Sequence, residues 1–264
     1  MNTKIKLEFD LSERLCGDEV IGLLQLKNDE YKFSIHKSYK NKIIRNKEDY
    51  QRDYIGDYSN YESLVVILES PHLDEFDVIG KNKKVIGNRP ANGKTGERFR
   101  KEFEQIINNK YSSKLNNDNY FVYLVNSVQY QCSLGVKTNI FRDYVWLTLW
   151  SDMKIRENFI KRLDEINPSI IINCCTKGGH TRDINNGYMG LKNSKSNKGI
   201  SKSYLKTLKY KISKNIVKDK SDIEVLKYED ANEINLKKFV RYQIQEVFNF
   251  KGVYEELSHP VNWY

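Results

Sequence analysis

Apolar and polar residues follow three kinds of pattern along this chain, and each predicts a kind of element. Lys4 to Phe9 and Tyr31 to Ile35 alternate, as strands with one wet face do. Residues 37 to 60 are polar, with tyrosines recurring among charges. Residues 1–60 are therefore expected to form an N-terminal extension, a small meander or a packed layer. Ser63 to Leu68 is an unbroken apolar run closed by Pro71, the pattern of a strand buried on both faces. Tyr120 to Asn126 is a second such run, and Ser169 to Asn173, opened by Pro168, is a third. Helical spacing takes over between them. Glu97 to Asn108 puts Phe99, Phe103, Ile106 and Ile107 on one face, with Thr95 as the expected N-cap. Asp143 to Ile166 carries two apolar stripes, Trp146, Leu149 and Trp150, then Phe159, Ile160 and Leu163, with a break expected near Trp150. Asn235 to Phe250 aligns Phe239, Val240, Ile244 and Val247, and a final apolar segment over 253–257 leads into Ser258-His259-Pro260.

Strands alternating with helices predict an α/β fold: a three-layer α/β/α domain over 61–264 around a central, mainly parallel four-stranded sheet. Residues 179–232 break the pattern. They are rich in Lys, Asn, Ser and Gly and read as a basic insertion, with a helix or strands expected near Tyr204 to Ile216. In open parallel sheets ligands bind beyond the carboxyl ends of the strands.

A length of 264 residues suits one large domain. No apolar run approaches the ~18 residues of a membrane helix. The start, Met1-Asn2-Thr3-Lys4-Ile5-Lys6, lacks the apolar stretch of a secretory signal, so a cytoplasmic protein with no membrane partner is expected. The cysteines, Cys16, Cys132, Cys174 and Cys175, show no C-x-x-C spacing, and two of them lie inside an apolar run. Buried reduced thiols, no metal and no cofactor are the expectation. The net charge of +9 is concentrated: Lys177 to Lys220 holds twelve Lys/Arg against two Asp, and the rest is close to neutral. That segment is either the footprint of an anionic partner, nucleic acid first, or a solvated insertion.

Two short motifs concentrate scarce residues. The chain has four prolines and four histidines. Leu68-Glu69-Ser70-Pro71-His72 and Ser258-His259-Pro260 each use one of both. Glu69 follows a buried strand and precedes a proline turn, a rigid mount suited to a general base or water-orienting carboxylate; otherwise it pairs with an arginine or caps a helix. His72 either points into a site or is structural, and Asp74 and Glu75 suit a helix start, where the dipole favours carboxylates. Asn126 ends its strand, where its amide can read a base edge or cap the next turn. His259 can donate to a developing negative charge or pack under Trp263. Asn88 to Gly96 is a turn-rich loop in which Pro90, Gly93 and Thr95 are candidate phosphate contacts at a helix start. A G-x-x-x-x-G-K-[ST] loop is excluded, because position 88 is asparagine and Gly87 falls one place early. Ser-His-Asp and H-E-x-x-H patterns are absent from the sequence, so water is the expected nucleophile.

Taken in order, these motifs resemble those of the uracil-DNA glycosylase superfamily. Its first motif, G-[QE]-x-P at a strand end, is matched by Leu68-Glu69-Ser70-Pro71. Its Pro/Gly/Ala-rich loop is matched by Arg89 to Gly96, its strand ending in Asn by Val122 to Asn126, its late strand ending in Gly by Ile170 to Gly178, and its His-Pro-Ser by His259-Pro260-Val261. The resemblance covers about 63–178 and 235–262. It departs at Leu68, in place of a glycine that admits the nucleotide, and at Val261, in place of serine. The resemblance implies a DNA or free-nucleotide partner. It implies catalytic roles for Glu69, which would orient water at C1′, and His259, which would stabilise the departing base. It implies that Asn126 reads the base within a pocket lined by Ser70, Pro71, His72, Pro90, Gly93 and Thr95, with Phe76 or Tyr130 as possible stacking partners.

Three functions are compatible with the sequence. The first is an N-glycosidic hydrolase acting on a base in DNA. The second is a non-catalytic nucleobase-, nucleotide- or DNA-binding module of the same fold, as in genome defence. The third is a DNA-binding protein that relies on 179–220. The oligomeric state is not legible.

Overall fold

A computed structural model describes residues 4–9, 15–72, 75–76, 78–79, 85–132, 141–178, 208–213 and 235–263. The main sheet has six strands, not the four expected. Four are parallel and contiguous: β10 (Val253–Glu256), β8 (Ile170–Asn173), β4 (Glu62–Leu68) and β7 (Asn119–Asn126). The antiparallel hairpin of β2 (Glu19–Lys27) and β3 (Glu30–Ile35) continues the sheet beyond β7. The N-terminal segment thus supplies two strands of the same sheet. Strand β1 (Lys4–Phe9) instead pairs with β9 (Leu208–Ser213), placing a strand inside the region expected to hold one. A short pair, β5 (Val78–Ile79) with β6 (Val85–Gly87), completes the strands. The remainder of the basic insertion, and Asp74, lie outside the described residues.

Strand β2 has no alternation to betray it, since its apolar run is buried on both faces. Gly22 within it is obligatory: a Cβ there would lie 2.1 Å from the Ser34 carbonyl oxygen of β3. The polar stretch before β4 forms α1 (Lys47–Asp53), capped by the Asn46 side chain on the Asp49 N–H. Tyr50, Tyr54, Tyr58 and Tyr61, spaced near one helical turn, build an aromatic layer against Phe121 of β7.

Helix α2 (Lys94–Lys110) starts earlier than predicted, with Gly93 rather than Thr95 as N-cap, and Thr95 sits in its first turn. Helices α3 (Phe141–Ser151) and α4 (Met153–Ile166) separate at Asp152, whose carboxylate caps α4. Asn167 then ends α4 in a left-handed conformation, φ 48°, before Pro168. Helix α5 (Leu236–Tyr242) passes into a π-helical turn over Gln243–Val247, seen in the Phe248 N–H bond to the Gln243 carbonyl. The wider turn adds a residue to the repeat. Val247 therefore leaves the face that holds Val240 and Ile244, and it is exposed.

Helices cover both faces of the sheet. On one, Val65, Ile67, Tyr123 and Ile171 pack with Trp146, Phe159, Leu163 and Val240 from α3, α4 and α5. On the other, Leu64, Val66, Val122 and Ile172 pack with Phe99, Phe103 and Ile107 of α2. The unbroken apolar runs arise because alternate residues of the same strand serve opposite cores.

Candidate functional site

The register of the parallel strands puts their carboxyl ends side by side. Leu68 faces Asn126, Ile67 faces Asn173, and Glu256 faces Asn173 from the other side. Glu69, Asn126, Thr176 and His259 are delivered to one rim by four different strands, although 190 positions separate the first from the last.

The main chain at Glu69 is held firmly. Its carbonyl accepts from the Trp146 indole at 2.8 Å, the Ser127 hydroxyl at 2.8 Å and the Val128 N–H at 3.1 Å. Its buried carboxylate accepts from Arg142 Nη1 at 2.9 Å and from the Thr176 N–H at 3.3 Å. Arg142 Nη2 also donates to the Thr176 hydroxyl at 3.1 Å, so one guanidinium fixes carboxylate and loop together. The arginine pairing weighed for Glu69 is thus present, within the same cluster as His259.

His259 Nε2 lies 3.6 Å from Glu69 Oε2, beyond hydrogen-bond distance. The Val261 N–H donates to Nδ1 at 3.4 Å, which leaves the proton of a neutral ring on Nε2, facing Glu69. Burial is the main cause that pulls the His259 pKa below its ordinary value. Glu69 pulls the other way, while Arg142 and Lys237 reinforce the neutral form. Lys237 is itself buried and donates to the Leu257 carbonyl, fixing the turn before Ser258. Trp263 closes that turn by donating from its indole to the Ser258 carbonyl at 2.8 Å and packs on Phe99 of α2.

Asn126 is fully buried, and neither its Oδ1 nor its Nδ2 has a hydrogen-bond partner. Its carbonyl accepts from Arg162 Nη2 at 3.0 Å, and Arg162 in turn makes two 2.7 Å bonds to Asp18. The strand end is therefore anchored, while the amide lies beside the Glu75 carboxylate outside hydrogen-bond geometry. Ser70 Oγ is buried and also unpartnered. Pro71 is buried and His72 half-buried.

The loop before α2 reaches the site through its main chain. Pro90 is buried, while Gly93 and Thr95 belong to the start of α2. Arg89 turns away to a buried ion pair with Glu19, 2.9 Å at Nη2, and stacks over Tyr39. The Arg89 N–H bonds the Glu75 carbonyl at 2.9 Å, and the Ala91 N–H meets the Glu75 carboxylate. Ala91 adopts φ 52°, and a Cβ on Gly96 would lie 1.4 Å from its carbonyl oxygen, so this fold of the loop requires glycine at 96. Phe76 is buried and Tyr130 packs partly buried against the core.

Glu75 is the residue sequence reasoning undervalued: it suited a helix start, and it lies in a short 3-10 turn, buried beside this cluster. Burial raises its pKa to about 8, and the Glu69 charge adds to the rise. The backbone N–H groups of His72 and Ala91 and the neighbouring Asn126 amide oppose it only in part. No spacing marks Glu75 in the sequence. Arg142 and Lys237 were legible in principle: Arg142 lies four residues before Trp146, and Lys237 three before Val240, each on a core-facing stripe.

The four cysteines are buried free thiols, and burial pushes Cys174 up to about 12. Among the described residues, no group of His, Cys, Asp and Glu is placed to hold a metal ion, and no helix is long and apolar enough to cross a membrane. Compared with models of protein families, with curated proteins and with solved structures, the chain matches none.

Proposed function

We propose that this protein is a uracil-DNA glycosylase-like, three-layer α/β/α domain that binds a nucleobase at the carboxyl ends of its parallel strands and hydrolyses its N-glycosidic bond. The carrying observation is the convergence of Glu69, Asn126 and His259 on one rim, with the Asn126 amide buried beside Glu75 and held in no hydrogen bond of good geometry. In this reading Glu69 orients a water and takes its proton as the water oxygen bonds C1′. The C1′–N bond breaks with its electron pair leaving on the base, and His259 Nε2–H donates to the departing base. Neutral imidazole suits that role, since it gives a hydrogen bond without a full positive charge. The side chain of Leu68 packs in the α2-side core, so its bulk is directed into the protein.

A second reading, a binding module without turnover, is favoured by one specific contact. Arg142 occupies part of the Glu69 carboxylate and leaves less of it to hold a water. The two readings separate on DNA carrying uracil or other altered bases. The hydrolase produces abasic sites that vanish in Glu69→Ala. Base binding with no abasic product across the panel would leave the binding module.

A further inference from the structure

Buried polar atoms of three side chains at this rim are in no hydrogen bond of good geometry: Ser70 Oγ, both amide atoms of Asn126, and Glu75 Oε2. A buried polar group without a hydrogen bond destabilises the fold, so a cluster of them points to a ligand rather than to packing. Elsewhere the described chain leaves few such atoms, and two of them, Glu19 Oε1 and His36 Nε2, face each other at 3.6 Å. At the rim the Asn126 amide adjoins the Glu75 carboxylate without reaching hydrogen-bond geometry, and Ser70 Oγ has no counterpart.

Resting on the reading of this rim as a nucleobase pocket, we propose that Glu75 is a specificity-determining residue that binds as the neutral acid, donating Oε2–H to an acceptor atom of the bound base while Asn126 reads the adjoining donor–acceptor edge.

The geometry gives Glu75 that role by division of labour. Backbone N–H groups of His72 and Ala91 meet the carboxylate and hold it in place. Oε2 alone lacks a partner, and it is where a proton has no N–H to oppose it. The Asn126 amide lies beside it and tempers its acidity, yet neither amide atom is engaged in hydrogen-bond geometry. Other charges support the neutral form. Glu69, from the end of β4, disfavours a second carboxylate, and burial supplies the larger effect. The Cys16 thiol, whose field meets Glu75 from the N-terminal side, is itself held neutral by burial. Arg89, the nearest arginine in the loop, spends its charge on Glu19. With the other carboxyl oxygen held by backbone N–H groups, Oε2–H and the Asn126 amide present donors beside one acceptor, a pattern that fits the edge of an oxo- or amino-substituted ring and rejects a ring edge made only of donors.

The experiment is a titration of full-length protein with free uracil, hypoxanthine, cytosine and adenine, read by ligand-observed NMR between pH 6.5 and 9.5. It is run on wild type, Glu75→Gln and Glu75→Ala, with thermal melts confirming that each variant is folded. For the base that binds best, wild-type affinity is expected to fall about tenfold per pH unit above the Glu75 pKa. Glu75→Gln keeps an N–H donor and should remove that fall, which also controls for ionisation of the base itself. Glu75→Ala should lose about tenfold or more at pH 6.5. A base that binds wild type and Glu75→Ala equally, or with the same pH profile in wild type and Glu75→Gln, overturns the role of Glu75 alone. Binding of none of the four bases to wild type overturns the nucleobase pocket and this proposal with it.

Discussion

Burial decides the protonation of Glu75, and with it a sign in the stability of the whole chain. Its folded pKa of about 8 lies above the ~4.3 of an unfolded glutamate. Between those values the folded state holds a proton that the unfolded chain releases. The stability this contributes is complete at low pH and is lost as pH rises through the folded pKa. Scanning calorimetry should therefore show the melting temperature falling from pH 5 to pH 8, with Glu75→Gln flattening the slope. Parallel profiles for the two proteins would show that Glu75 ionises normally. The same physics works in reverse at His259, where loss of solvation favours the uncharged ring. Two neutral groups, Glu75 and His259, thus flank a pair of opposite charges, Glu69 and Arg142.

Elements are held to this arrangement by a few obligatory contacts. The loop before α2 folds so tightly that a methyl group on Gly96 meets the Ala91 carbonyl. Gly96→Ala should cost about 1–3 kcal/mol in urea unfolding through overpacking. A change below a few tenths would mean that the loop rearranges freely and does not fix the Ala91 N–H against Glu75. The elements most readable from the sequence were those whose pattern had one cause. Ser63–Leu68 and Tyr120–Asn126 are buried on both faces and appear as apolar runs, and α2 and α4 show single stripes. Strand β2 was missed because its apolar run holds a glycine at the close approach of β3, and Gly22 reads as a breaker unless that approach is known. The tyrosines from Tyr50 to Tyr61 were hidden among charges, although their hydroxyl-bearing rings fill the gap over Phe121. Val247 was misplaced by a π-helical turn that no spacing announces. At the site, Glu69, Asn126 and His259 were legible because strand ends and proline turns mark them. Glu75 and Thr176 were not, since they reach the site only when the loops after β4 and β8 come together, and Arg142 showed only as a polar residue on the Trp146 stripe.

At the scale of the molecule, the sheet brings both ends of the sequence to one rim. Strand β4 carries Glu69, and β10, laid on the far side of β8, carries His259. The N-terminal hairpin is tied to the same region by the Glu19–Arg89 ion pair and by Asp18, which holds Arg162 against the Asn126 carbonyl. The six-stranded sheet is thus a frame that fixes Asn126 from behind while its amide lies buried beside Glu75. Everything proposed of function depends on that amide being a reader of bases. Crystals soaked in turn with each of a panel of free nucleobases test it most directly. A base should be seated at the rim between Glu69 and His259, its edge within about 3.2 Å of both Asn126 side-chain atoms. A base seated elsewhere, or none bound at saturating concentration with the Asn126 amide satisfied by protein or water, would contradict it.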